Sequence, residues 1–263
     1  MTYDQELKDR VYTLLQGFPR VSGKIELIAE VGSTVHNISA GNGMDDIDFT
    51  VVWTEDLSDL MAINPTHTTK MLRTAKEGER SGAGDIDLQV YSMRKFTSLC
   101  VHGNPSILNV LFVPEEKRLS SRYFFPATEL AGLSHTKAAG KAFLGYVDAQ
   151  MDRWVNHQTR RRVNRPELVA AHGYDTKYAA HAIRLAIQGQ QFLDEGRIHI
   201  PMDEPVAGWL RQIRAGEVEE GMALDFCKVS RTRLQEALEH STLPDYPDMV
   251  KVSQFLTNWH RGW

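Results

Sequence analysis

The sequence changes its pattern near residue 125, and this change constrains the fold more than any other feature. Before it, three segments have the length and residue pattern of β-strands: 24–31, 46–53 and 85–91. After it, long segments rich in apolar residues predict three helices: 136–154, 174–195 and 218–239. The pattern therefore predicts an α/β half followed by a helical half, packed together as one unit of 263 residues.

Two local assignments in the first half are also made from pattern. Segment 24–31 alternates, which predicts a half-buried strand with Glu26 and Glu30 on its polar face. Segment 57–80 predicts a helix followed by a flexible loop that contains glycine.

Composition excludes several classes of protein. The net charge of −4, from 30 basic and 34 acidic residues, argues against a wholly basic nucleic-acid coat, although a local basic patch stays open. Two cysteines are too few for a disulfide scaffold or a thiolate zinc site. The first 20 residues lack an apolar signal core, and no stretch has the ~20 apolar residues that span a bilayer. We expect a cytoplasmic protein without a membrane partner.

Paired aspartates on two of the strands are the main chemical signal. Strand alternation puts Asp46 and Asp48 on one face, about 6.5 Å apart, and repeats this arrangement with Asp85, Asp87 and Gln89. If the strands are neighbours, three or four acids meet, and such a cluster is stable mainly around a cation. Hard oxygen donors favour Mg²⁺ over Zn²⁺. An isolated Asp-x-Asp is more often a solvated strand edge or a turn.

A Gly-Ser pair follows the first strand. Gly32 lets the backbone approach a ligand closely, and Ser33 offers a hydroxyl and an N–H group. The same pair is also common in ordinary turns. It indicates a ligand site only in combination with the paired aspartates.

Three short segments together carry residues typical of a known superfamily: Glu30-Val31-Gly32-Ser33, Asp46-Ile47-Asp48 and Ile86-Asp87-Leu88. They resemble the signature of the DNA polymerase β-like nucleotidyltransferases. Within that superfamily, the sequence resembles a narrower family, the predicted nucleotidyltransferases associated with RNA repair. The segments that carry this narrower resemblance are 90–96, 103–108, 173–177, His181, 184–185 and 241–248. The resemblance covers roughly residues 26–256.

The resemblance implies an α+β fold, with a mixed-sheet nucleotidyltransferase core at 1–125 and an all-helical domain at 126–263 that closes the nucleotide cleft. It implies that Asp46, Asp48 and Asp87 are catalytic and hold two Mg²⁺ or Mn²⁺ ions. It also implies that Gly32 and Ser33 contact the triphosphate of ATP or another nucleoside triphosphate. The family pattern has one acid on the third strand, so Asp85 stays open as an additional or alternative ligand.

The implied reaction transfers a nucleoside monophosphate (NMP) to a hydroxyl group without a template and releases pyrophosphate. RNA is favoured over DNA as the acceptor, and a protein or a small molecule stays open. The alternative is a catalytically inactive protein that binds nucleotide or nucleic acid on the same scaffold. An inactive protein has no need to keep mutually repelling acids together, so the presence of Asp46, Asp48 and Asp87 favours the enzyme.

A polar stripe on the second long helix supports the same interpretation. Lys177, His181, Arg184 and Gln188 share one face, whereas most other positions are apolar, so the helix should be buried. The stripe then faces either a thin solvent edge or a cleft where Lys177, Arg184 and His181 bind the nucleotide's phosphates. The basic residues of 160–165 either grip an acceptor backbone or form a solvated linker.

Overall fold

A computed structural model describes residues 3–21, 24–39, 46–63, 68–79, 81–121, 125–156 and 165–262. A five-stranded sheet occupies the first half of the chain. Its strands are β1 (Ile25–Val31), β2 (Ile47–Trp53), β3 (Thr69–Arg73), β4 (Ile86–Ser92) and β5 (Arg118–Ser121). The order is β3-β4-β2-β1-β5; β2 and β4 run parallel, and the other neighbours are antiparallel. The sheet is therefore mixed and the fold is α+β, as the resemblance implied.

Helices surround the sheet and make up most of the second half. In the described residues they are α1 (Gln5–Leu15), α2 (Leu57–Leu60), α3 (Met93–Val101), α4 (Pro105–Leu111), α5 (Ala127–Ser134), α6 (Lys137–Val155), α7 (Pro166–His172), α8 (Thr176–Glu195), α9 (Val206–Ala215), α10 (Glu220–His240) and α11 (Met249–Arg261). No helix in the described ranges has both the length and the apolar character needed to span a membrane.

Both faces of the sheet are covered by apolar side chains. On one face, Val11 and Leu15 of α1 pack with Phe49 of β2. On the other, a single buried cluster extends from Leu27 of β1 to Phe192 of α8. The hydrophobic core thus continues across residue 125, so the two halves of the sequence share a buried interior.

Two local predictions were wrong. Strand β1 lies between β2 and β5 and is buried on both faces, so Glu26 and Glu30 point into the protein. Glu26 accepts a hydrogen bond from Thr54 Oγ1 at 2.7 Å, and Glu30 accepts one from Lys117 Nζ at 3.0 Å. Segment 57–80 contains the edge strand β3 as well as the short helix α2. Pairing with β4, which no local pattern reveals, gives β3 its conformation.

Helix α11 attaches to the sheet half through two polar contacts. Trp259 Nε1 donates to Thr54 Oγ1 at 2.8 Å, and His260 Nε2 lies 3.4 Å from Glu55 Oε2. The hydrogen bond to Glu55 raises the pKa of His260 above 6.5. Burial by itself raises the pKa of Glu55, but hydrogen bonds from His260 and Ser92 outweigh it and lower that pKa below 4.5. Both shifts favour a charged pair.

The pair should make stability depend on pH. The contribution of His260 is complete below pH 6.5 and is lost as pH rises through its raised pKa. The contribution of Glu55 is complete above pH 4.5 and is lost as pH falls through its lowered pKa. We expect His260→Gln to cost about 1 kcal/mol of unfolding free energy at about pH 6 and clearly less at about pH 9.

Urea unfolding of both proteins at the two pH values measures this difference. His240→Gln is a matched control, since the Nδ1 atoms of His240 and His260 each lie 2.8 Å from the carbonyl oxygen four residues earlier. An equal cost for His260→Gln at both pH values would contradict the charged pair.

Candidate active site

Three aspartates lie together where β2 and β4 begin. The parallel register pairs Asp48 with Asp87, and Asp46 precedes the first residue of β2. One carboxylate oxygen from each residue lies within 4.8 Å of the other two. All three side chains are half-buried. The structure thus brings together the acids that the sequence placed on separate strands.

The geometry and chemistry of this acidic cluster suit a divalent cation. Each carboxylate supplies hard oxygen donors, and three negative charges this close repel one another unless a cation lies among them. The cluster contains neither histidine nor cysteine, which favours Mg²⁺ or Mn²⁺ over Zn²⁺.

Gly32 approaches the acidic cluster closely. It follows β1, whose last residue, Val31, pairs with Asp48. Its φ of +90° lies in the left-handed region, and a Cβ atom at this position would be 3.0 Å from Asp48 Oδ2. Glycine is needed here both for its backbone conformation and for the space beside the carboxylate.

Asp87 has further partners at the sheet edge. Ser81 Oγ donates to Asp87 Oδ1 at 2.7 Å, and Arg73 Nε donates to the same oxygen at 3.3 Å. Arg73 also donates to Ser81 Oγ at 2.6 Å. These contacts hold Oδ1 of Asp87 in place, and this also fixes the direction in which Oδ2 points.

Asp85 forms its hydrogen bonds outside the acidic cluster. Its carboxylate accepts hydrogen bonds from the Gly82 backbone N–H at 2.9 Å and from Thr74 Oγ1 at 2.7 Å. The Gly82 bond, followed by the Thr74 bond, lowers the pKa of Asp85. Among the described residues, the acidic cluster comprises Asp46, Asp48 and Asp87. Asp85 instead closes the turn that leads into β4.

A cavity of about 170 Å³ opens beside Gly32. Its lining residues are Gly32, Ser33, Ile38, Arg165, Lys177, Tyr178, Ala180, His181, Arg184 and Arg214. The described lining carries four cationic side chains and no carboxylate. We call it the cationic pocket. The predicted stripe of α8 therefore faces a cleft, and the Gly-Ser pair lies at the same cleft.

Burial and neighbouring positive charges lower the pKa values of two side chains in the cationic pocket. Burial, followed by the charge of Arg184, lowers the pKa of His181 to about 3. Burial and Arg214 lower the pKa of Arg184 to about 10. His181 is therefore neutral and Arg184 charged near pH 7. Cations gathered in a partly buried space are stabilised by an anion, so the pocket suits an anionic ligand.

Two arginines of the cationic pocket, Arg165 and Arg214, were not assigned to a nucleotide site from the sequence. Arg214 lies in the last turn of α9, and only the packing of α9 on α8 brings it to the pocket. Arg165 lies in the basic segment considered above; its guanidinium stacks over Tyr178 at 5.0 Å and lies 3.5 Å from Asp175 Oδ2. Residues 160–164 lie outside the described residues.

Gln188 does not line the pocket, although it shares the stripe. It is fully buried, and its side-chain amide lies 3.2 Å from His36 Nδ1. Helical spacing alone could not separate the three pocket residues from this fourth, buried one.

A mixed sheet that carries a carboxylate cluster beside a Gly-Ser turn, with helices around it, defines a nucleotidyltransferase of the DNA polymerase β type. The model of the RNA repair pathway DNA polymerase beta family (RlaP) matches residues 8–224. The chain belongs to this family.

Solved structures and curated proteins add two findings. The chain is 10% identical to a nucleotidyltransferase-like protein from Exiguobacterium sibiricum, with a TM-score of 0.32, 98% of this chain and 80% of that chain being covered. It is 15% identical to spectinomycin adenyltransferase AAD(9) from Enterococcus faecialis, solved with ATP and spectinomycin, with a TM-score of 0.45 and coverage of 89% and 100%. No curated protein matches the chain.

Proposed function

We propose that this protein is a metal-dependent nucleotidyltransferase that moves an NMP from a nucleoside triphosphate to a hydroxyl group of a nucleic acid. The observation that carries the proposal is the position of Gly32, which contacts the acidic cluster through Asp48 and also lines the cationic pocket. The residues proposed to hold divalent cations therefore adjoin those proposed to hold polyphosphate. This pairing is what phosphoryl transfer from a nucleotide requires.

The acidic cluster would hold Mg²⁺ or Mn²⁺ through Asp46, Asp48 and Asp87. When bound, such ions lower the pKa of the acceptor hydroxyl and neutralise charge on the leaving pyrophosphate. Arg73 and Ser81 hold one oxygen of Asp87 and so orient that ligand.

The cationic pocket would hold the β- and γ-phosphates. Lys177 and Arg184 supply positive charge, Ser33 supplies hydrogen bonds at the mouth, and neutral His181 donates one ring N–H. The acceptor oxygen then bonds to the α-phosphorus as the bond from that phosphorus to pyrophosphate breaks. The helical part, 126–263, contributes all four cations of the described lining and would close the cleft over the sheet part, 1–125.

RNA is the acceptor class that the family description favours, and DNA is the second candidate. We propose transfer without a template. A cytoplasmic setting is part of the same proposal, since Cys100 and Cys227 are both buried, reduced thiols.

Incubation of the protein with each α-labelled nucleoside triphosphate, Mg²⁺ and either an RNA or a DNA oligonucleotide tests the proposal. We expect the oligonucleotide to lengthen by labelled NMP, with RNA extended faster, and extension to stop when the metal is chelated. Binding of nucleotide without transfer to either acceptor would instead support an inactive binding protein.

A further inference from the structure

His36 lies in the turn that follows Gly32 and Ser33, and its side chain is buried with 3% of its surface exposed. Arg184 Nη1 lies 2.5 Å from His36 Nε2, and the Gln188 side-chain amide lies 3.2 Å from His36 Nδ1. Both partners belong to α8, so the ring links the Gly-Ser turn to the helix that carries the cationic stripe.

The contact between His36 and Arg184 has a defined direction. A guanidinium group has only donors, so His36 Nε2 must be the acceptor and the ring must be neutral. Burial, followed by the charges of Arg184 and His181, keeps the pKa of His36 well below 6.5, in agreement with this. With Nε2 as the acceptor the ring proton is on Nδ1, so the Gln188 amide faces Nδ1 with its oxygen rather than its nitrogen.

A neutral acceptor such as the His36 ring affects Arg184 differently from a carboxylate, because it does not cancel the positive charge. In the described part of the chain, the Arg184 guanidinium donates to the neutral His36 ring, and its side chain forms no ion pair. The guanidinium is therefore held in one orientation while no carboxylate among the described residues pairs with its positive charge. That charge remains available to an anion in the cationic pocket.

We propose that His36 is a positioning residue for the triphosphate: its acceptor nitrogen aims Arg184 into the pocket without neutralising the arginine's charge. This inference rests on the proposed function. The backbone around His36 is itself fixed by the helical half, because Met202 N donates to the His36 carbonyl at 3.2 Å and Arg211 Nη1 donates to the Asn37 carbonyl at 2.7 Å. These two contacts hold the turn in place without the His36 ring.

Three substitutions at position 36 distinguish positioning from structural support. His36→Gln keeps a neutral acceptor near the place of Nε2, His36→Leu removes the acceptor, and His36→Glu introduces a carboxylate that can pair with Arg184. The measurements are the dissociation constant of inorganic triphosphate by calorimetry in the presence of chelator, and the thermal unfolding midpoint.

We expect His36→Gln to bind inorganic triphosphate within about threefold of the wild type, His36→Leu to bind about tenfold more weakly, and His36→Glu about 100-fold more weakly. The unfolding midpoint should not follow this order, since the new ion pair in His36→Glu holds the two halves together. In the active enzyme, KM for the nucleoside triphosphate should rise with little change in kcat. In an Arg184→Gln background, His36→Leu should have almost no further effect on binding.

Equal binding by the glutamate and glutamine variants would overturn the inference, even if His36→Leu failed to fold. A wild-type protein that does not bind inorganic triphosphate would overturn both this inference and the phosphate-binding role of the pocket. A wild-type protein that binds it, with the variants in the expected order, but transfers no NMP, would support the role of His36 while the proposed activity fails.

Discussion

Asp48→Asn is expected to lower NMP transfer by about 10³-fold or more. The substituted amide keeps the shape of the side chain but removes one of three converging negative charges, at the residue that faces both Asp87 and Gly32. Because those carboxylates repel one another, the variant should fold at least as stably as the wild type. Transfer is measured as labelled NMP per enzyme under saturating Mg²⁺, and stability by urea unfolding.

Asp85→Asn is the matched control for this experiment. Asp85 lies two residues before Asp87, but its carboxylate bonds to Gly82 and Thr74 in a turn. We expect this variant to lose a small part of the unfolding free energy and to keep transfer within about tenfold of the wild type. Undiminished transfer by Asp48→Asn, or an equal loss in the two variants, would show that the acidic cluster is not the catalytic centre.

Gly32→Ala should lower transfer by about 100-fold. A Cβ atom at position 32 would lie 3.0 Å from Asp48 Oδ2, so the carboxylate has to move away from its place in the acidic cluster. The φ of +90° adds backbone strain of about 1–2 kcal/mol, which lowers stability as well. The activity loss should therefore exceed what the loss of stability explains.

Gly78→Ala separates the two effects. Gly78 has a φ of +87°, nearly that of Gly32, but an added Cβ atom would meet no other atom within 4 Å. The two variants should lose similar unfolding free energy, and Gly78→Ala should keep wild-type transfer. If both variants lose transfer equally, strain alone accounts for the effect and the close approach to Asp48 has no catalytic role.

Local periodicity was sufficient to identify much of the candidate site. Alternation along two strands placed Asp46 and Asp48 on one face and Asp87 on the corresponding face of another strand, and the register of β2 with β4 brings them together. Helical spacing likewise put Lys177, His181 and Arg184 on one face of α8, which lines the cationic pocket. The side chains concerned are a few residues apart in each element, so backbone geometry alone decides which of them share a face.

Other features depend on which elements become neighbours. Glu30 is buried where Tyr3 and Lys117, which lie 27 and 87 positions away, both donate to its carboxylate. Arg214 reaches the pocket because α9 packs on α8. The pairing of His36 with Arg184 joins residues 148 positions apart. A pattern of residues within one segment contains no information about such contacts.

The sequence by itself determined the two classes of element, the faces that carry the acids and the cations, and the family. Only the tertiary structure decided that these two charged faces meet at Gly32, that Asp85 closes a turn, and that a neutral histidine holds Arg184. The physical reason is that secondary structure follows from backbone dihedral angles and nearby side chains, whereas electrostatic partners are fixed by packing between distant segments.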